Sequence, residues 1–217
     1  MSLFDELFFI SENECSICKY SEAGKNGICY DCYDSLDIVN SSYFDSDINI
    51  QLHYSLFYNG FLKNVIDRFK FRGQNYLYKS LGDIMSDTLK NLGLTKSFDL
   101  IVAVPMHKSD QKIRGYNQSF LLAKRISKNT GIPFNPAILQ KIKETKQQHS
   151  LNPIERRKNL NNSFKTSKTN SVYGKRILIV DDIITTGETI RAVSHALKEC
   201  SLSSVEAIGL TSSRRID

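Results

Sequence analysis

The stretch ILIVDDIITTGETI, Ile177–Ile190, decides how the rest of the chain is read. Its opening aliphatics show no polar alternation, which predicts a strand buried on both faces rather than one with a wet side. The strand ends in two adjacent acids, Asp181 and Asp182, and Thr185, Thr186 and Gly187 then lead into a helix predicted over 188–199. A strand that enters a helix through such a loop offers backbone N–H groups and hydroxyls at the helix's positive end, where a phosphate dianion is favoured. Gly187 permits a positive φ and close approach of a ligand. Ionised carboxylates only accept hydrogen bonds, so Asp181 and Asp182 suit the vicinal hydroxyls of a ribose or a magnesium-bound water. The whole string describes a ribose 5-phosphate site, whereas the acid pair alone would equally suit a solvated turn.

Working outward, FDLIVAVP (Phe98–Pro105) and VEAIGLT (Val205–Thr211) read as two further buried strands. Helical spacing of apolar residues recurs in GFLKNVIDRFKFRG (Gly60–Gly73), where Phe61, Leu62, Val65, Ile66 and Phe69 form one face and Lys63, Asp67 and Lys70 another. Two more helices are predicted over 76–92 and 116–128, the second closed by Gly131 and Pro133. Buried strands each followed by a helix predict an α/β fold with a parallel sheet covered on both faces. In such sheets ligands bind at the carboxyl ends of the strands, which is where VDDIITTGET falls. A polar stretch over 144–162 is too long for a tight connector and reads as a loop.

The 217 residues carry a formal charge of +6, unevenly spread. Residues 1–50 hold two Lys against ten acids, and the remainder holds 27 cations against 13 acids. The basic part implies a polyanionic partner or a well-solvated surface. The opening MSLFDELFFI contains Asp5 and Glu6 and no cation, unlike the start of a secretory signal, so a cytoplasmic protein without membrane insertion is expected. Cys15, Cys18, Cys29 and Cys32 form two Cys-x-x-Cys pairs. In a reducing compartment that spacing favours one structural zinc ion over two disulfides. Cys200 reads as a small core residue. The polar run Ser41–Asn49 reads as a linker, which divides the chain into a zinc-binding module, 1–45, and a larger domain, 46–217.

ILIVDDIITTGETI resembles the signature of the type I phosphoribosyltransferases, whose ligand is phosphoribosyl pyrophosphate with magnesium. VAVPMHKSDQKIRGYNQS (Val102–Ser119) resembles the corresponding segment of the ComF family, with Tyr116 where phenylalanine is usual. Thr145, Gln148, Leu151, Arg156, Asn159 and Phe164 fall at that family's spacing, and the cysteine pairs match as well. The resemblance implies a phosphoribosyltransferase-like domain, 46–217. Asp181 and Asp182 would bind ribose hydroxyls with magnesium, and Thr185, Thr186, Gly187 and Thr189 would hold the 5-phosphate. Lys108 and Arg114 would be the cations available to pyrophosphate. Glu188 departs from the small residue common at its position and places a charge beside a phosphate.

Between Lys141 and Arg176 there are ten cations and two acids, densest at Arg156, Arg157 and Lys158. Such a segment suits a phosphodiester backbone, and a solvated loop fits it too. The aromatics nearest in sequence for base stacking are Tyr116, Phe164 and Tyr173, each of which could equally be core. Two functions therefore stand. The ComF resemblance implies a binder of phosphoribosyl pyrophosphate and single-stranded DNA that supports DNA uptake in natural transformation beside a helicase-like competence protein. The alternative is an active phosphoribosyltransferase acting on a small-molecule nucleophile.

Overall fold

The computed structural model describes residues 13–143, 163–167, 171–198 and 200–212. In chain order it contains α1 (Tyr30–Asp34), β1 (Ile38–Asp45), β2 (Ile50–Leu56), α2 (Gly60–Phe71) and α3 (Tyr78–Asn91). These are followed by β3 (Leu100–Ala103), α4 (Lys108–Arg114), α5 (Gln118–Thr130), β4 (Leu139–Lys141) and β5 (Phe164–Thr166). The chain continues through β6 (Arg176–Val180), β7 (Ile183–Ile184), α6 (Glu188–Lys198) and β8 (Ser204–Ser212).

The main sheet runs β1-β2-β8-β6-β3, with β7 also paired to β8. From β2 to β3 every pairing is parallel, and β1 alone is antiparallel, at one edge. This is the α/β architecture expected of a type I phosphoribosyltransferase-like domain, extended by a hairpin. In β6, successive side chains feed two different cores, which is why its sequence shows no alternation. Leu178 and Val180 pack with residues of α2, α3 and α5, and Ile177 and Ile179 pack with residues of α6, β4 and β5. All four are fully buried, which stabilises the fold by roughly 1.5–3 kcal/mol per side chain before entropy is counted.

The run Ser41–Asn49, read above as a linker, is a correction. Ser41–Asp45 lie within β1, and the chain turns through 46–49 directly into β2. The residue-45 division thus falls inside this hairpin. The cysteine knuckles also pack on the larger core. Cys15, Ile17, Ile28 and Leu36 belong to the same buried cluster as Leu62, Phe69 and Leu81. Arg68 donates from Nη2 to the Ile17 carbonyl at 2.7 Å, and Ser16 and Ser80 share a 2.8 Å hydroxyl contact.

Candidate functional site

At the carboxyl end of β6 the backbone N–H of Asp181 still donates to the Ile208 carbonyl on β8, so the acid pair is fixed by the sheet itself. Asp181 Oδ1 accepts from the Ser119 hydroxyl at 2.9 Å and from the Asp182 backbone N–H at 2.9 Å. Asp182 is buried, and its Oδ1 meets the Lys70 ammonium at 2.9 Å. Burial raises the Asp181 carboxyl to about 7, the neighbouring Asp182 charge adds to the rise, and Lys70 and the Ser119 hydroxyl oppose it. Two acids and one internal cation therefore leave excess negative charge at the strand's end, a setting for a cation or for hydroxyl donors.

The acids stand where the sequence put them, and their partners do not follow from it. Lys70 lies four residues after Ile66, at the border of the apolar stripe of α2. The helix end carries it to the carboxyl end of β6 rather than to solvent. Ser119, in the first turn of α5, is held by the helix cap, since the Asn117 side chain accepts from the Phe120 N–H and donates to the Val104 carbonyl at 3.0 Å. Lys141 on β4 is a third residue not singled out. Burial lowers its pKa, while Asp110 and then Asp181 pull it back up.

Beyond the acids, Gly187 has φ +74°, the left-handed region expected of it. A Cβ there would approach Ile48 Cδ1 to 3.0 Å, so the loop also needs glycine to pack against the turn of the β1–β2 hairpin. Thr185 is exposed, and Thr186 and Thr189 are half-buried. Glu188 opens α6, is buried, and accepts from Arg191 Nε at 2.9 Å, so its charge is met by a cation on its own helix.

After β3 the chain forms α4, a short helix. The His107 side chain caps it by accepting from the Ser109 N–H, and Gly115 closes it at φ +84°. Lys108 is exposed at its start. Arg114 donates from Nη1 to Gln118 Oε1 at 2.9 Å and lies over the Phe71 ring, 5.0 Å from its centroid. Of the aromatics considered for stacking, Tyr116 donates to the Phe69 carbonyl and Phe164 is buried, whereas Tyr173 is exposed. Arg156, Arg157 and Lys158, with most of the basic loop, lie outside the described residues.

The sulfurs of Cys15, Cys18, Cys29 and Cys32 lie within 4.8 Å of one another, and none is in a disulfide. A tetrahedral zinc site with bonds of about 2.3 Å has sulfurs roughly 3.8 Å apart, and Cys18 Sγ and Cys29 Sγ are 3.8 Å apart. The backbone N–H of Tyr20 is the main cause that lowers Cys18 to about 6. Burial works against ionisation of Cys15, yet N–H groups of Cys29, Cys18 and Ile17 outweigh it and lower that thiol too. Burial raises Cys32. The cluster is placed to hold a metal ion such as zinc, with no position left for a reacting water.

Among the described residues no helix is long and apolar enough to cross a membrane. Residues 117–214 match the family of the phosphoribosyl transferase domain. Competence protein F of Haemophilus influenzae is 33% identical over 154 residues, covering 69% of this chain and 67% of that protein. Competence protein ComFC of Bacillus subtilis is 26% identical over 190 residues, covering 88% and 73%. DNA utilization protein YhgH of Escherichia coli O157:H7 is 33% identical over 99 residues, covering 46% and 43%. By its likeness to competence protein F over two thirds of both chains, the protein belongs to the competence protein F/ComFC family and carries its phosphoribosyl transferase domain.

Proposed function

We propose that this protein binds phosphoribosyl pyrophosphate and single-stranded DNA and supports DNA uptake in natural transformation. The observation that carries the ligand reading is the fixed acid pair, Asp181 held by Ser119 and Asp182 by Lys70, directly before a loop with glycine at positive φ. The carboxylates orient ribose hydroxyls, and Thr185, Thr186 and Thr189 with the N–H groups around Gly187 take the 5-phosphate. Lys108 and Arg114 supply charge for pyrophosphate. Hard oxygen donors on Asp181 and Asp182 fit magnesium, which when bound neutralises phosphate charge as a Lewis acid. The four cysteines hold a structural zinc that keeps the knuckles docked on α2 and α3. The relatives named for competence and for DNA utilization support the DNA reading, with Arg156, Arg157 and Lys158 on backbone phosphates.

The test is calorimetric titration of phosphoribosyl pyrophosphate with and without magnesium, using the parent and the Asp181→Asn/Asp182→Asn double variant. Magnesium-dependent binding that the double variant loses is the expected result, and equal binding by both proteins refutes it. For DNA, changing Arg156, Arg157 and Lys158 to Ala should flatten the log–log salt dependence of binding by roughly two units. An unchanged slope removes these residues from the interface. The transferase domain match also supports the second reading, catalysis on a small-molecule nucleophile. Pyrophosphate release from phosphoribosyl pyrophosphate without DNA would favour that reading.

A further inference from the structure

Phe71, the last residue of α2, is 59% exposed although it follows directly after the fully buried Phe69 and the paired Lys70. One side of its ring is taken by the Arg114 guanidinium, 5.0 Å from the centroid. The ring's exposure leaves the rest of it to water. Phe44 and Phe57 are exposed to a similar degree, and what sets Phe71 apart is the guanidinium on its ring. The surroundings are cationic. Arg72 follows Phe71 and is exposed, and α4 presents exposed Lys108 and Lys112 beside Arg114. None of these four cations forms an ion pair with another described residue. Asp110 is the acid on α4, and its charge acts on Lys141. The helix buries no residue of its own, and Ile113 on it is 88% exposed.

Two links tie this surface to the acid pair. Phe71 is the chain neighbour of Lys70, which touches Asp182. Arg114 bonds Gln118, the chain neighbour of Ser119, which touches Asp181. An aromatic face flanked by unpaired cations is the recurrent arrangement for single strands, because every base has a π-face and every linkage a phosphate. A duplex offers no unstacked base to such a ring.

From this we infer that Phe71, with Arg114 behind it and Arg72 next to it in the chain, is the stacking platform for single-stranded nucleic acid, next to the acid-pair site. A base stacks on the free face of Phe71, and Arg72 holds a neighbouring phosphate. The inference rests on the DNA-binding reading above and gives it a place distinct from the Arg156–Lys158 run. A strand bound here lies one residue away from both contacts of the acid pair, so it and phosphoribosyl pyrophosphate occupy adjoining sites.

The test is fluorescence anisotropy of a labelled oligothymidylate with the full chain, over a salt series. Phe71→Ala should weaken binding roughly 5- to 100-fold at fixed salt, leave the salt slope unchanged, and leave the thermal midpoint and phosphoribosyl pyrophosphate binding at parent values. Phe71→Tyr, which keeps the ring, should restore affinity. Arg72→Gln should instead flatten the slope by roughly 0.7. A parent chain that binds no oligothymidylate overturns the DNA reading and this platform together. A parent that binds, with Phe71→Ala equal to it, overturns the platform alone. Loss of affinity in Tyr173→Ala but not in Phe71→Ala does the same and moves stacking to that other exposed ring.

Discussion

Asp181→Asn isolates the charge of one carboxylate with little else changed. Both hydrogen bonds that hold the side chain, from the Ser119 hydroxyl and the Asp182 N–H, arrive at Oδ1, and the Asn carbonyl oxygen can accept both. The variant thus keeps the geometry and removes a buried negative charge. In the parent that carboxyl is raised from 3.8 to about 7, chiefly by burial and then by Asp182. Because the folded value lies above the unfolded one, the associated stability is present below about pH 4 and is lost as the pH rises through about 7. At about 1.36 kcal/mol per pH unit the full loss has a ceiling of about 4 kcal/mol, and residual solvent contact of Asp181 reduces the expectation to about 2 kcal/mol. The assay is urea denaturation of both proteins at about pH 4.5 and pH 8, where the linear extrapolation gives each stability. Magnesium is left out, and chelator is also omitted so that the cysteine cluster stays intact. Subtracting the two proteins cancels the titrating groups that do not interact with Asp181, so the difference belongs to Asp181 together with Asp182, Lys70 and Lys141. The parent should lose about 2 kcal/mol relative to the variant between the two conditions. Parallel stabilities would falsify the reasoning, since an Asp181 that ionises freely is not held in a buried, acid-crowded place.

Lys70→Met removes the cation paired with Asp182 and should cost roughly 2–3 kcal/mol at pH 8 but less at pH 5, where the acid pair takes up a proton. Denaturation at both pH values checks it, and a loss independent of pH would mean that Lys70 only packs. Gly187→Ala forces a side chain into φ +74° and against Ile48 and should lower stability by about 1–2 kcal/mol. Adding Ile48→Ala relieves the contact but not the backbone, so the double variant should not return to the stability of Ile48→Ala alone. Cys15→Ser should abolish a bound zinc of about one per chain by elemental analysis and expose the knuckles to protease. Full metal content in that variant excludes the cluster as a four-sulfur site.

Helices α2, α3, α5 and α6 and strands β3, β6 and β8 were legible because each carries its pattern locally. Ile177–Val180 is aliphatic on both faces, and Leu62, Val65, Ile66 and Phe69 repeat at helical spacing. The hairpin was not legible as a pair: β2 alternates and buries Ile50, Leu52, Tyr54 and Leu56, but its partner β1 is a mostly polar, half-exposed edge strand with no such pattern. The Thr88 hydroxyl on α3 lies 2.7 Å from Asn40 Oδ1 and 2.8 Å from the Ser55 hydroxyl, and Ser42 contacts His53, whose other ring nitrogen meets Glu206 at 2.7 Å. Such polar contacts join residues far apart in sequence, and no local pattern announces them. The same limit hid Lys70. Asp181 and Asp182 stood out as a pair in sequence, but the cation that meets them comes from a helix near the other end of the chain, and only the fold joins them. For α4 there was no apolar stripe to read, because none of its residues is buried.

The position of β8 bears on how the chain is made. It follows every other described strand, yet it sits between β2 and β6. While the ribosome is still working through α6, the nascent chain holds two half-sheets, each with an open aliphatic margin that only β8 can cover. Those margins are templates for wrong pairing with neighbouring chains, and their closure joins residues far apart in sequence, the slowest class of contact to form. Until β8 is made and docked, the unjoined halves are therefore prone to aggregate. A premature stop within Ser204–Ser212 would not trim an edge, and would instead release two unjoined halves to aggregate.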